Sequence, residues 1–184
     1  MILWHFCNKA SPGIQTMKHD PLQDLAIDNQ PGYYIRRLHQ ISVAIFLQQT
    51  EAFGITPVQY AALQTVGMSP NIDQRTLART IGLDTSTIAG VIDRLESRGL
   101  LLRTASIEDR RVRQLSVTDA ARELLAEVAP AMLKAQQLIL EPLVPEEKAE
   151  FIRLLRQLVS KNNDLSRAPS DGGVTGQGLS LGEK

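Results

Sequence analysis

The sequence predicts a mainly α-helical protein with a small β-wing, a winged helix-turn-helix whose N- and C-terminal helices form a dimerisation region. Three observations carry this expectation. Between Asp73 and Thr118 a short helix, a tight turn at Gly82, a second helix from Thr85 and two strands around a charged loop follow in order. That second helix has one apolar and one small polar face, and long Leu/Ile-rich helices flank the unit at both ends of the chain.

The second helix is framed by Asp84, an N-cap whose carboxylate can accept from free first-turn N–H groups, and by Gly99, suited to the left-handed residue past the end. Ile88, Val91, Ile92 and Leu95 recur at helical spacing and predict the buried stripe. The other face carries Thr85, Ser86, Thr87, Gly90, Arg94 and Arg98. Hydroxyl and glycine positions near a helix N-terminus allow close approach to base edges, and arginines further along reach phosphate or guanine, so this face suits a DNA major groove. Leu100 to Leu102 and Arg113 to Val117 read as strands flanking Ser106 to Arg111. The arginines Arg110, Arg111 and Arg113 give that turn the charge needed to enter a narrow minor groove, with Asp109 able to hold one guanidinium by paired hydrogen bonds. A solvated hairpin with ordinary surface ion pairs is the plainer reading of the turn; its place directly behind the helix pair favours a wing.

A chain of 184 residues is long enough to bury a core. Its formal net charge is +0, but residues 71 to 118 hold eight arginines against six acids. That surplus is modest and argues against very tight non-specific DNA binding. Asp84 acts as a cap, and Asp93 and Glu96 are expected to pair with arginines on their own helix. The single cysteine, Cys7, excludes an intramolecular disulfide and a cysteine metal cluster. Of three histidines, His5 and His19 lie in the leader and His39 stands alone, so no zinc-binding pair exists and no metal or cofactor is expected. Neither a Gly-x-Ser-x-Gly elbow nor a phosphate-cradling glycine loop is present, which argues against an enzyme. No run approaches membrane-spanning length and MILWHF is too short for a secretory signal, so a cytoplasmic protein without membrane contact is expected.

Residues 1 to 30 mix prolines and polar residues without periodicity and read as a mobile leader. Tyr33 to Phe53 reads as a long helix with Tyr34, Leu38, Ile41 and Ile45 turned inward, ended by Gly54. Thr56 and Pro57 open the next helix, which runs to about Gly67, and Asp73 caps a third packed through Leu77, Ala78 and Ile81. Thr118 caps a helix running towards Leu140, in which Pro130 predicts a kink or break. Pro142 and Pro145 precede a last helix with Glu146 and Glu147 in its first turn and Phe151, Leu154, Leu155, Leu158, Val159 and Leu165 at three- and four-residue steps. The glycine-rich tail, 168 to 184, is expected to be disordered. Terminal helices with this much apolar surface must bury it, and a second copy of the chain is the simplest cover, so a homodimer is expected.

Ile55-Thr56-Pro57-Val58-Gln59-Tyr60, Asp73-Gln74-Arg75-Thr76-Leu77-Ala78, Asp93-Arg94-Leu95-Glu96-Ser97-Arg98-Gly99-Leu100, and Asp109-Arg110-Arg111 followed by Leu115-Ser116-Val117-Thr118 stand in the order and spacing of the MarR family of bacterial transcription regulators. The resemblance covers about Tyr33 to Leu165 and implies a MarR-like domain over 31–167, with a winged-helix lobe at 56–118 and dimerisation helices at 32–54 and 119–165. It implies a dimer that binds double-stranded DNA at a pseudo-palindromic operator and is released by a small aromatic, phenolic or carboxylic effector. By matching positions, Arg111 resembles the wing-tip arginine and Asp109 the acid that orients it. Ala121 stands where the family often has glycine, and Val144 where a capping Ser or Thr is common. Family effectors bind between the dimerisation helices and the DNA-binding lobe, which points to Tyr33, Arg36, Arg37, His39, Gln40 and Tyr60. An arginine or histidine can pair with a carboxylate while tyrosines wall an aromatic ring. The plainer reading of Arg36, Arg37 and His39 is a solvated helix face. Against the regulator stands a winged-helix protein-interaction module without sequence-specific DNA binding.

Overall fold

The computed structural model describes residues 26–106, 112–166 and 168–169. Most of the expected leader and tail, and the wing-tip residues Asp109, Arg110 and Arg111, lie outside them. The chain divides within its first long helix into two compact units, Met1–Leu38 and His39–Lys184. In the first, a 3₁₀ turn at Ile27–Asn29 precedes α1, Pro31–Thr50, which begins two residues earlier than the sequence pattern implies.

In the second unit, α1 ends with Thr50 buried, its hydroxyl donating to the Phe46 carbonyl at 2.8 Å. A 3₁₀ turn, Glu51–Phe53, and Gly54 at φ +57° reverse the chain. Helix α2, Pro57–Met68, starts on the reciprocal cap its sequence allows: Gln59 N–H donates to Thr56 Oγ1 at 3.3 Å, and Thr56 N–H donates to Gln59 Oε1 at 3.1 Å. Strand β1, Ile72–Asp73, leads into α3, Gln74–Ile81, and Gly82 at φ +69° turns the chain into α4, Thr85–Ser97. Strands β2, Leu101–Ala105, and β3, Arg113–Val117, pair antiparallel from Leu101 opposite Val117 to Ala105 opposite Arg113. The sheet order is β1-β3-β2, with Ile72 opposite Leu115. Strand β1 is absent from the sequence expectation, because two residues carry no periodicity to detect.

Helix α5, Asp119–Leu140, starts on Thr118, whose Oγ1 accepts from Ala121 N–H at 3.2 Å and donates to the Gly99 carbonyl at 2.8 Å. It runs through Pro130 without the expected break. Ala121, at the position where glycine is common, is fully buried. Helix α6, Pro145–Asn162, lacks a capping hydroxyl at Val144, yet Glu147 Oε2 still accepts from Val144 N–H at 3.1 Å, so half of a capping box survives.

The core gathers Ala62, Leu63 and Val66 of α2, Leu77 of α3, Ile88, Ile92 and Leu95 of α4, Leu101 and Leu115 of the sheet, and Ala121 and Val128 of α5. The terminal helices contrast with it. No residue of α6 is buried: Leu154 is 42% exposed, Leu158 53% and Val159 64%. On α1, Tyr34 (56%) and Ile41 (45%), both expected to turn inward, are exposed within the single chain. The helical spacing of these apolar residues is present, but among the described residues nothing covers them.

Leu95→Ala removes a fully buried side chain from the underside of α4. Urea unfolding is expected to show a loss of about 2–5 kcal/mol; a loss below about 1 kcal/mol would contradict this packing.

Candidate nucleic-acid interface

Three frames orient α4. Inward, Ile88, Val91, Ile92 and Leu95 are buried, as their spacing predicts. At the N-terminus Asp84 Oδ1 accepts from Thr87 N–H at 2.8 Å and from the Ser86 hydroxyl at 2.5 Å, while Oδ2 accepts from the Thr87 hydroxyl at 2.6 Å. The Ser86 and Thr87 hydroxyls, with the Thr87 N–H, hold the Asp84 carboxyl below the usual carboxylate range. Asp73 does the same for α3: burial pushes its carboxyl up, and hydrogen bonds from the Thr76 hydroxyl and from the Thr76 and Arg75 N–H groups outweigh that and lower it.

The third frame is a set of arginine clamps that the sequence does not announce. Arg98, expected on the DNA-reading face, donates from Nη1 to the Gly54 carbonyl at 2.8 Å and from Nη2 to the Phe53 carbonyl at 3.5 Å. Its guanidinium thus ties the end of α4 to the elbow before α2. Asp93 and Glu96, expected to pair along their own helix, instead meet Arg103 of β2, which bonds Asp93 and lies 3.3 Å from Glu96. The wing is thereby fastened to the helix by a cross-element ion pair.

Of the other residues expected on the reading face of α4, Thr85, Ser86, Thr87 and Arg94 are exposed, with Gly90 half-buried among them. A Cβ at Gly90 would meet nothing within 4 Å. Packing within the chain therefore gives no reason for glycine, although glycine inside a helix costs about 0.5–1 kcal/mol relative to alanine. Arg113 is exposed at the base of the wing, opposite Ala105. The Ser106 N–H donates to the Val112 carbonyl at 3.0 Å and closes the strands on the near side of the wing tip.

The six effector candidates are spread along two helices. In the first unit, Tyr33 meets the Tyr34 ring edge-on at 5.3 Å and receives the Arg36 guanidinium at 5.5 Å from its ring centroid. Arg37 is exposed on the same helix. In the second unit, His39 and Gln40 are exposed, and the His39 carbonyl accepts from the Ser42 hydroxyl at 2.8 Å. Tyr60 stands edge-on to Phe46 at 6.3 Å, and burial pushes its phenol up. It lines a cleft of about 410 Å³ whose other walls include Gln64, Pro70, Ser116, Arg122 and Leu125. Arg122 donates to the Val117 carbonyl at 2.9 Å at the rim of that cleft. Sequence reasoning passed over it, because an arginine four residues past a helix cap reads as surface charge. Among the described residues no group of three or more His, Cys, Asp or Glu could hold a metal ion, and no helix is long and apolar enough to cross a membrane.

A helix pair followed by a clamped two-stranded hairpin, with the second helix offering a small polar face, defines a winged-helix protein. A model of the MarR family matches residues 55–112. A putative transcriptional regulatory protein for the hcr operon of Thauera aromatica is 30% identical over 134 residues, covering 72% of this chain and 81% of that protein. The chain belongs to the MarR family. Among solved structures, Bordetella bronchiseptica BpsR, whose DNA binding is regulated by 6-hydroxynicotinic acid, is 29% identical with a TM-score of 0.69, covering 71% of this chain and 94% of that one. CouR, a transcriptional repressor seen bound to a 23-mer DNA duplex, is 26% identical with a TM-score of 0.69, covering 75% of this chain and 96% of that one.

Because Asp84 is held below its ordinary range, its contribution to stability is complete above the unfolded value near pH 4 and is lost as pH falls through the lowered folded value. Replacing Asp84 with asparagine is expected to lower stability at pH 7 and to flatten its decline with acid below about pH 4, followed by urea unfolding across pH. An acid profile unchanged by the substitution would contradict the cap's electrostatic role.

Proposed function

We propose that this chain is a ligand-responsive, DNA-binding transcription regulator that represses by occupying a pseudo-palindromic operator as a homodimer and is released by a small aromatic acid. The observation that carries this reading is the outward face of α4, where Gly90 has open space above it and no packing reason to be glycine. A backbone that can be approached this closely suits the floor of a major groove. Thr85, Ser86, Thr87 and Arg94 would contact bases and phosphates, Arg113 and the wing-tip residues Asp109, Arg110 and Arg111 the flanking minor groove, and Arg98 would position α4 from behind. The DNA-bound relative CouR supports the assignment. Such a role is regulatory rather than catalytic and belongs in the cytoplasm.

The second copy is argued from what the single chain leaves open. An 18-residue helix with no buried residue, and exposed apolar residues on α1, call for a partner surface of the same composition. The MarR-like domain then spans 31–167, with the winged-helix lobe at 56–118 and the dimer built from 32–54 and 119–165. Two copies of α4 would address major grooves about one turn, roughly 34 Å, apart. An effector binding more tightly to a dimer with different lobe spacing lowers operator affinity by the same factor in which operator lowers effector affinity.

For the effector, support comes from BpsR and its 6-hydroxynicotinic acid, and from polar groups able to receive a carboxylate beside an aromatic wall. The cleft lined by Tyr60 and Arg122 in the second unit is assigned to it; of the other residues expected to bind it, His39 and Gln40 belong to the same unit and Tyr33, Arg36 and Arg37 to the first.

Gly90→Ala separates DNA reading from folding. The variant is expected to unfold at higher urea, by about 0.5–1 kcal/mol, yet to bind duplex DNA from the region upstream of its own gene about tenfold more weakly. Wild-type affinity should also fall steeply with salt. Equal DNA affinity of the two proteins, or binding insensitive to salt as in a protein-interaction module, would contradict the assignment.

A further inference from the structure

The hydroxyls at the start of α4 have a fixed hydrogen-bond polarity. We propose that Ser86 and Thr87 read DNA as acceptors, selecting the exocyclic amino group of adenine or cytosine in the major groove. The proposal rests on the operator-binding reading above and deepens it.

Each hydroxyl has one proton and two lone pairs. An ionised carboxylate has no proton to give, so in the contacts of Ser86 Oγ to Asp84 Oδ1 at 2.5 Å and of Thr87 Oγ1 to Asp84 Oδ2 at 2.6 Å the hydroxyls are the donors. Both bonds are short and charge-assisted, the stronger class. They also hold the cap: Asp84 Oδ1 already takes the Thr87 N–H at 2.8 Å, and turning either hydroxyl outward to donate would strip the carboxylate of a partner at the helix start. Both residues are exposed, so what they present to an incoming duplex is lone pairs.

That polarity excludes most of what DNA offers. Phosphate oxygens, guanine N7 and O6, adenine N7 and thymine O4 are all acceptors, and two acceptors do not bond. The donors on the major-groove edge are adenine N6 and cytosine N4. Arg94, on the same helix, has the opposite polarity and suits guanine or phosphate. The first turn of α4 therefore accepts where its later turn donates, and the half-site should carry that order.

The test begins with selection from a random duplex library by the purified full-length protein. In the selected half-site each adenine is replaced by purine and each cytosine by 2-pyrimidinone, deleting one amino group at a time; each purine is separately replaced by its 7-deaza analogue, deleting an acceptor. Dissociation constants are measured for the wild type, Ser86→Ala and Thr87→Val, after circular dichroism shows unchanged helix content. Amino deletion also weakens base pairing, but equally for all three proteins, so the double-mutant cycle removes that effect. At one or two positions amino deletion is expected to weaken wild-type binding about five- to tenfold beyond its effect on one variant, with no such coupling for the 7-deaza analogues. Uniform losses across the three proteins, or coupling only to N7, would overturn acceptor readout while leaving operator binding intact. Failure to select any sequence would instead remove the operator reading itself, and this proposal with it.

Discussion

Burial of one stripe on α4 constrains almost everything else in the DNA-binding lobe. Ile88, Ile92 and Leu95 are fully buried, with Val91 beside them, among α2, α3 and the sheet. Fully burying side chains of this kind contributes roughly 1.5–3 kcal/mol each, far more than any surface contact on the opposite face. Rotation of the helix about its axis would forfeit that burial, so the line through Ser86 and Gly90 is held outward by what lies beneath it. The caps and clamps then trim the remaining freedom: Asp84 fixes where the helix starts, Arg98 where its end sits against the elbow, and Arg103 how the wing leans on it.

The same reasoning leaves the terminal helices unsatisfied. Apolar residues on α6 recur as regularly as those of α4, yet Leu154, Leu158 and Val159 are exposed among the described residues. Under the proposed dimer they acquire cover only from the second copy, which would make the separation of the two reading helices a property of the assembly. An effector acting on that assembly could change operator affinity without touching α4, since affinity for a two-part site depends on spacing as well as on contacts.

Local chemistry was legible in the sequence and long-range pairing was not. Asp73, Asp84, Thr56 and Thr118 were readable as caps because a cap involves residues two or three positions apart, and Gly54, Gly82 and Gly99 as turn residues because positive φ selects glycine. The partner of Asp93 was misassigned because Arg103 is brought to it only by the turn through Gly99. The Arg98 clamp was not readable for the same reason: its acceptors, Phe53 and Gly54, lie more than forty residues earlier. Helix α5 continues through Pro130, where the sequence predicts a kink or a break, so the break is absent. Strand β1 is too short to be patterned, and the openness above Gly90 is a property of space that no sequence window contains.

Hydroxyl-radical footprinting of the purified protein on DNA from upstream of its own gene tests the central claim most directly, that two outward α4 faces are presented at groove separation. Two protected patches centred about one helical turn apart, related by a two-fold axis, are expected. A single patch, or no protection at protein concentrations that saturate gel-shift binding, would contradict it.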